Sequence, residues 1–343
     1  MKKLLILLTG SMLFFYQCTS QPTVELLVNE QEKKVDVLID GQLFTSYIYP
    51  VNIKKPVLWP VMSEEGNMLT RSFPLAMKEG DRTDHPHHVG VWLNYGDVNG
   101  LDFWNNSEAI PEEDRHRYGT IYHQSIEKAE HGKGSAVLET TAVWKGPDGK
   151  PLLNERSRFA FIAKEQYRII DRTTSLKAVI NEVKFTDNKE GMFAIRVARE
   201  LELPSDQPTK LVDSHGIITE VKNMDNTLVK GNYLSAEGIE GEEVWGTRSR
   251  WMKLSGEINE EKVALVIIDH PSNAGYPTYW HARGYGLFAA NTLGQKVFSN
   301  GKNELNFTLE EGETVTFKYR LVVAHGPVSD EEIDRLADDY AGK

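Results

Sequence analysis

Cysteine occurs once in the 343 residues, as Cys18, so no intramolecular disulfide can form and stability must come from packing and hydrogen bonding. Long apolar runs are equally scarce. After Leu4–Tyr16 no stretch approaches the ~20 residues that a membrane-spanning helix needs, which excludes a helical membrane body. Internal repeats and low-complexity linkers are missing, which excludes a solenoid. Positive charge is in deficit: 39 Lys and Arg face 50 Asp and Glu, for a net charge of −11. The basic residues are scattered as well. Phosphate backbones need a basic face, so a nucleic-acid partner is excluded, and neutral or cationic ligands suit such a surface better.

What is present begins with a leader. Met1, Lys2 and Lys3 precede the apolar run, which reads as a signal peptide over residues 1–17. Cys18 follows at once, ahead of Thr19, Ser20 and Gln21, where a lipoprotein signal peptidase would cut. Gln17 departs from the small residue usual before such a cysteine. The expectation is lipidation of Cys18, a tether over 18–23 and one domain over 24–343, held in the periplasm or at the cell surface. Membrane contact would then run through the N-terminal lipid, with plain secretion as the alternative.

Short alternating apolar and polar runs recur from Val24 to His325, punctuated by Gly, Pro, Asn and Asp. That pattern predicts many antiparallel strands. Asp40-Gly41 joins Val35–Ile39 to Leu43–Tyr49 as a hairpin, and Pro147-Asp148-Gly149 closes a second after Ala136–Trp144. Further strands are expected over 167–174, 181–186, 192–203, 263–269 and 314–323. Ser329 with Glu332 forms a capping box for one C-terminal helix carrying Ile333, Leu336 and Tyr340 on one side, expected to pack outside the sheets. The fold class is therefore all-β, a large antiparallel β-sandwich with few short helices. In the run 192–203, Met192, Ala194, Arg196, Ala198 and Glu200 share one face while Phe193, Ile195, Val197 and Leu201 share the core face. The small alanines of the first face leave room over the sheet.

Two segments concentrate chemistry. Gly80–Asn106 reads GDRTDHPHHVGVWLNYGDVNGLDFWNN, bringing Arg82, Asp84, His85, His87, His88, Trp92, Asn94, Asp102 and Trp104 into one stretch. Asp269–Phe288 reads DHPSNAGYPTYWHARGYGLF and adds Asp269, His270, Asn273, Tyr276, Trp280, His281 and Arg283. Between them, Trp245–Trp251 presents Arg248 and Arg250 on one face. Sugar hydroxyls take carboxylate, Asn, His and Arg partners, sugar C–H faces stack on indoles, and histidines exchange protons near neutral pH. A transition-metal site competes for the histidines, but His87 and His88 are adjacent and lack the H-x-H spacing with a remote carboxylate.

The segments HPHHxGxW, GDVNGxDFW, WGTRxxW and DHPxNxxxPTYWHARxYGLFAxNxxG resemble the family catalogued as PmoA-like and labelled methane oxygenase, over nearly the whole mature chain. That resemblance implies a supersandwich similar to galactose mutarotase, whose concave sheet holds a sugar and whose catalytic pair is usually a His with a carboxylate. It also implies a setting in carbohydrate catabolism. The expectation is thus an extracytoplasmic carbohydrate-active enzyme (hydrolase, lyase or epimerase) using acid–base catalysis on a glycoside or modified sugar. His87, His88 and His281 are candidate acids, and Glu200, Asp84 and Asp269 candidate bases. Arg82, His85, Trp92, Asn94, Asp102, Trp104, Arg196, Arg248, His270, Asn273, Tyr276, Trp280 and Arg283 are candidate substrate contacts. No cofactor or metal is assigned. A sugar-binding lipoprotein without turnover and the metal-dependent oxygenase of the label are the alternatives.

Overall fold

The structure, a computed structural model, describes residues 21–343; the leader and Cys18 lie outside the described residues. Two antiparallel sheets face each other. The first has nine strands in the order Tyr279–Arg283, Leu287–Asn291, Gly191–Arg196, Val91–Tyr95, Val57–Val61, Gln42–Ile48, Lys34–Ile39, Thr23–Asn29 and Gly132–Lys133. The second has eight, in the order Asn232–Ser235, Trp251–Ile258, Glu261–Asp269, Thr314–His325, Tyr167–Ala178, Pro151–Ala163, Ser135–Lys145 and Thr120–Glu130. Val91, Leu93, Phe193, Ile195, Trp280 and Phe288 of the first sheet meet Leu138, Phe161, Leu176, Leu265 and Leu321 of the second in one main core. This is the expected all-β sandwich, and the period-2 alternation of the strands produces it by turning every second side chain inward.

Local chemistry sets the turns. Asp40 and Gly41 both take positive φ between Lys34–Ile39 and Gln42–Ile48, as a two-residue hairpin of the I′ kind requires. The single α-helix of the described residues, Asp330–Tyr340, starts where the Ser329 side chain accepts from the Glu332 N–H. It lays Ile333, Leu336 and Ala337 on the outer face of the eight-stranded sheet, against Trp251, Val266 and Ile268.

The expected strand over 192–203 is shorter. It ends at Arg196, and Arg199–Leu201 forms a 3-10 turn. Met192 joins the main core rather than the face of Ala194.

Candidate functional site

The outer face of the nine-stranded sheet, turned away from the main core, carries the chemistry. In register across four strands, His281 pairs with Ala289, Ala289 with Ala194, and Ala194 with Trp92. Paired residues point to the same face, so a histidine and an indole stand about 14 Å apart, three strand spacings, with two alanines between them. One step along, Arg283, Leu287 and Arg196 form a second row.

The segment 82–90 folds over this face, and two buried arginines hold it there. Arg71 donates to the carbonyls of Arg82, Asp84, His85 and His88 at 2.7–3.2 Å and to Asp84 Oδ1 at 2.8 Å. Arg196 donates to the same Asp84 Oδ1 at 2.7 Å. Burial pushes the Asp84 carboxyl up, but the His85 hydrogen bond and the Arg196 and Arg71 charges outweigh it and hold Asp84 well below the usual carboxylate range. Gly90 closes the segment at φ +57, where a side chain would collide with the Leu58 carbonyl. Only glycine fits there.

So held, four rings stack from the surface to the floor. Tyr285 stacks on His85 at 5.1 Å, His85 on His88 at 4.8 Å, and His88 on Trp92 at 5.3 Å. Trp104 closes the side, 5.2 Å from Trp92 and 5.8 Å from His88. Lys55 lies beneath, 2 % exposed. It donates to the His87 carbonyl at 2.7 Å and stands 5.5 Å from the Trp92 ring. Burial pulls its amine down to about 7.

Four side-chain nitrogens in this cluster, His87 Nε2, His88 Nε2, Trp92 Nε1 and Trp104 Nε1, are buried without a hydrogen-bond partner in the protein. Each such group costs about 1–3 kcal/mol. Their collection in one place is what a polar ligand would relieve.

The protonation of the two central histidines follows from their neighbours. Burial pulls both below the ordinary histidine range, His88 well below it and His281 down to about 3, so both are neutral at pH 7. His88 Nδ1 faces Arg196 Nη1 at 3.3 Å. A guanidinium only donates, so Nδ1 accepts and the proton sits on Nε2. His281 Nδ1 lies 3.0 Å from the Lys189 carbonyl and 3.7 Å from Glu190 Oε2. Both are acceptors, so here the proton sits on Nδ1 and Nε2 carries a lone pair.

The remaining expected residues fall into two groups. Asn94 donates to the Phe103 carbonyl at 2.6 Å, and Asp102 caps the Trp104 and Asn105 N–H groups at 2.9 Å, so both shape the turn that seats Trp104. Arg82 joins them at the periphery, bound to Glu202 at 2.6 Å; burial pushes that carboxyl up to about 7 against the pull of Arg82.

The others stand apart from the cluster. Glu200 leaves the sheet with the 3-10 turn, pairs with Lys78 at 3.0 Å and lines a separate cavity of about 600 Å³. Asp269 ends a strand of the other sheet and is enclosed by Asn273 Nδ2 at 2.7 Å and the Thr278 N–H at 2.8 Å. Asn273 also bridges to the Lys318 backbone, and His270 folds onto Ser272. Arg248 donates to the Gly275 and Pro277 carbonyls, half-buried Tyr276 sits in that same loop, and Trp280 points into the main core with Nε1 on Ser249. The second dense segment is therefore divided: residues 269–278 and Trp280 build a loop and core, while His281, Arg283, Tyr285 and Leu287 reach the outer face. Lys55, Arg71, Glu190 and Tyr285 join the site unforeseen.

Among the described residues, the group that gathers three possible metal-ligand atoms within 4.8 Å is Glu65, Glu261 and His325, remote from this cluster in the sheet order. Glu261 already accepts from Ser63 and Asn67. The clustered histidines form no such group.

Fold and site together define an all-β sandwich with a histidine- and arginine-lined face on its nine-stranded sheet. Residues 34–338 match the model of DUF6807, described as a family of unknown function, and the chain belongs to that family. No curated protein matches the sequence.

Among solved structures, the chain is similar to the GH36 alpha-galactosidase AgaB from Geobacillus stearothermophilus (11% identity, TM-score 0.38, 88% of this chain and 41% of that one). It is also similar to an Escherichia coli K12 protein assigned as an aldose 1-epimerase (10% identity, TM-score 0.38, 89% and 99%). The alpha-galactosidase from Lactobacillus brevis is a third (9% identity, TM-score 0.39, 82% and 38%). The chain spans about two fifths of the length of the two galactosidases.

Proposed function

We propose that this protein is an extracytoplasmic carbohydrate-active enzyme, anchored by lipid at Cys18, that processes a glycoside or modified sugar on the outer face of its nine-stranded sheet. The observation that carries this reading is the complementary state of His88 and His281 on one face: one offers a free N–H, the other a free lone pair. Bond cleavage or ring opening at an anomeric carbon needs a proton given to one oxygen and another taken away. In this reading the neutral His88 hydrogen-bonds, through Nε2–H, the oxygen that gains charge, and His281 Nε2 accepts the proton that is released, with Glu190 and the Lys189 carbonyl holding the His281 tautomer. Ala194, Ala289, Trp92 and Trp104 are fully buried and packed with Val89 of the 82–90 segment, so in this reading that segment moves aside and a sugar ring takes the floor between His281 and Trp92, where the Trp92 and Trp104 N–H groups meet its hydroxyls. Access to His88 requires the half-exposed His85 ring, stacked upon it, to swing aside. The PmoA-like likeness of the motifs and the mutarotase-like arrangement it implies point the same way.

The test is a panel of glycosides, including 3-keto-glycosides, offered to wild-type protein and to His88→Gln and His281→Gln. A proton-transfer residue contributes roughly 10²–10⁴-fold to rate, so each variant is expected to lose turnover on that scale while still binding the sugar. Wild-type turnover in both variants would place the acid and base elsewhere. Binding without turnover in wild type would mark a sugar-binding protein instead.

A further inference from the structure

Beyond Tyr285, a cavity of about 320 Å³ opens at the sheet edge, lined among others by Arg82, Gln207, Glu242, Trp245, Arg283 and Tyr285. Tyr285 belongs to both places: one face stacks on His85, and its ring also borders the cavity. The Arg283 guanidinium lies 5.6 Å above the Trp245 ring. Among the described residues it has no recorded hydrogen bond or ion pair, and the residue is exposed. Trp245 Nε1 is buried without a partner.

The cavity is near charge balance, in contrast to the net charge of −11: Arg82 and Arg283 stand against Glu242 and the Glu202 that holds Arg82. Arg71 and Arg196 share the single carboxylate of Asp84, Arg82 is matched by Glu202, and Arg283 is left over. Among the cavity-lining residues the one carboxylate is Glu242, set against Gly284. A planar guanidinium pre-oriented on an indole receives a carboxylate in two parallel hydrogen bonds. The adjoining aromatic rings suit a sugar ring, not a small free anion.

Resting on the sugar-processing reading above, we infer that this cavity is a second subsite, which takes a carboxylate-bearing ring, a uronic acid unit, joined to the sugar held between His281 and Trp92. Arg283 reads the carboxylate and Trp245 or Tyr285 the ring face. The whole-chain charge repels acidic ligands, so selectivity for them originates at this guanidinium and weakens with salt.

The test measures binding by tryptophan fluorescence and calorimetry, using His281→Gln protein to suppress turnover. The probes are monosaccharides, neutral disaccharides, and the same disaccharides with one ring oxidised to the uronate. At least one uronate is expected to bind about 10-fold tighter than its neutral counterpart, from one charge-assisted pair at a half-open site. Adding Arg283→Met should erase that preference while leaving the urea midpoint unchanged. Equal affinity for neutral and acidic disaccharides, or a preference that survives Arg283→Met, overturns the subsite. Binding of monosaccharides with no disaccharide bound overturns it as well and spares the sugar reading. Failure of every sugar to bind overturns the sugar reading itself, and the subsite with it.

Discussion

Replacing Lys55 with Met tests whether the cluster is built around an amine held against its preference for charge. Lys55 is buried, with one hydrogen bond to the His87 carbonyl, and its amine falls from 10.5 to about 7 because of burial, an effect Asp102 only partly offsets. A shift of that size corresponds to a penalty of roughly 5 kcal/mol at most for burying the charged form. The sign follows from linkage: between about 7 and 10.5 the unfolded chain binds the proton and the folded chain does not, so wild-type stability rises with pH across that window. Below about 7 both states are protonated and the full penalty stands. Methionine fills a similar volume without charge, but it leaves the His87 carbonyl unmet at about 1–3 kcal/mol. Urea midpoints measured from pH 6 to pH 10 on both proteins give the difference directly and cancel other titrating groups. The Lys55→Met variant is expected to be the more stable at pH 6, with its advantage shrinking by a few kcal/mol and reversing toward pH 10. Parallel curves for the two proteins would refute the buried-amine argument.

Arg71→Met removes the donor shared by four carbonyls and Asp84 and leaves Arg196 facing Asp84 alone; urea unfolding should show a loss of roughly 3–5 kcal/mol, as for other broken buried ion pairs. His281→Gln should reduce acid lability. Its ring stays neutral in the folded state down to about 3 because of burial, while the unfolded ring protonates near 6.5, so wild-type stability falls as pH drops through that interval and the variant's midpoint should fall less steeply. Cys18→Ser should move the protein from the membrane fraction of its host to the soluble one, and a soluble wild type would remove the lipid anchor from the proposal.

Strands were legible because alternation and turn chemistry agree locally. Asp40-Gly41 supplies the left-handed pair that a two-residue hairpin needs, and the strands either side pair from Ile39 with Gln42 to Lys34 with Ile48, with one register shift between Val37 and Leu38. The run from Met192 to Leu203 exceeded the real strand for a simple reason: a 3-10 turn at Arg199–Leu201 also buries Leu201, so the apolar pattern continues after the ladder has stopped. The first dense segment could be read as a site because its residues are close in sequence and fold as one lid. The second could not. Its loop, which carries His270, fastens to the eight-stranded sheet through Asp269 and Asn273, and the chain crosses to the other sheet only with Tyr279–Arg283. Lys55 and Arg71 carry no local sign at all: Lys54-Lys55 and Thr70-Arg71-Ser72 look like ordinary surface, and only distant packing buries them. Glu190 sits beside a glycine in the same unremarkable way, whereas Tyr285 lay within the second motif and could have been found there.

The buried arginines explain why the histidines can share a site at all. An apolar replacement of a buried ion pair is often neutral or stabilising, so Arg71, Asp84 and Arg196 are a poor choice if stability were their only role. Their geometry supplies what apolar side chains could not. Arg71 gathers the carbonyls of Arg82, Asp84, His85 and His88 onto one fork and thereby fixes a segment whose His85 sits at φ 44. Arg196 presents donors to His88 Nδ1 and to Asp84 at once, which sets the tautomer and disfavours protonation of the same ring. Position, proton and charge state of His88 thus depend on two guanidiniums and one carboxylate contributed by three separate stretches of chain. No single motif could have announced that arrangement, because it exists only once the sheet has brought Arg196 beneath the lid that Arg71 holds shut.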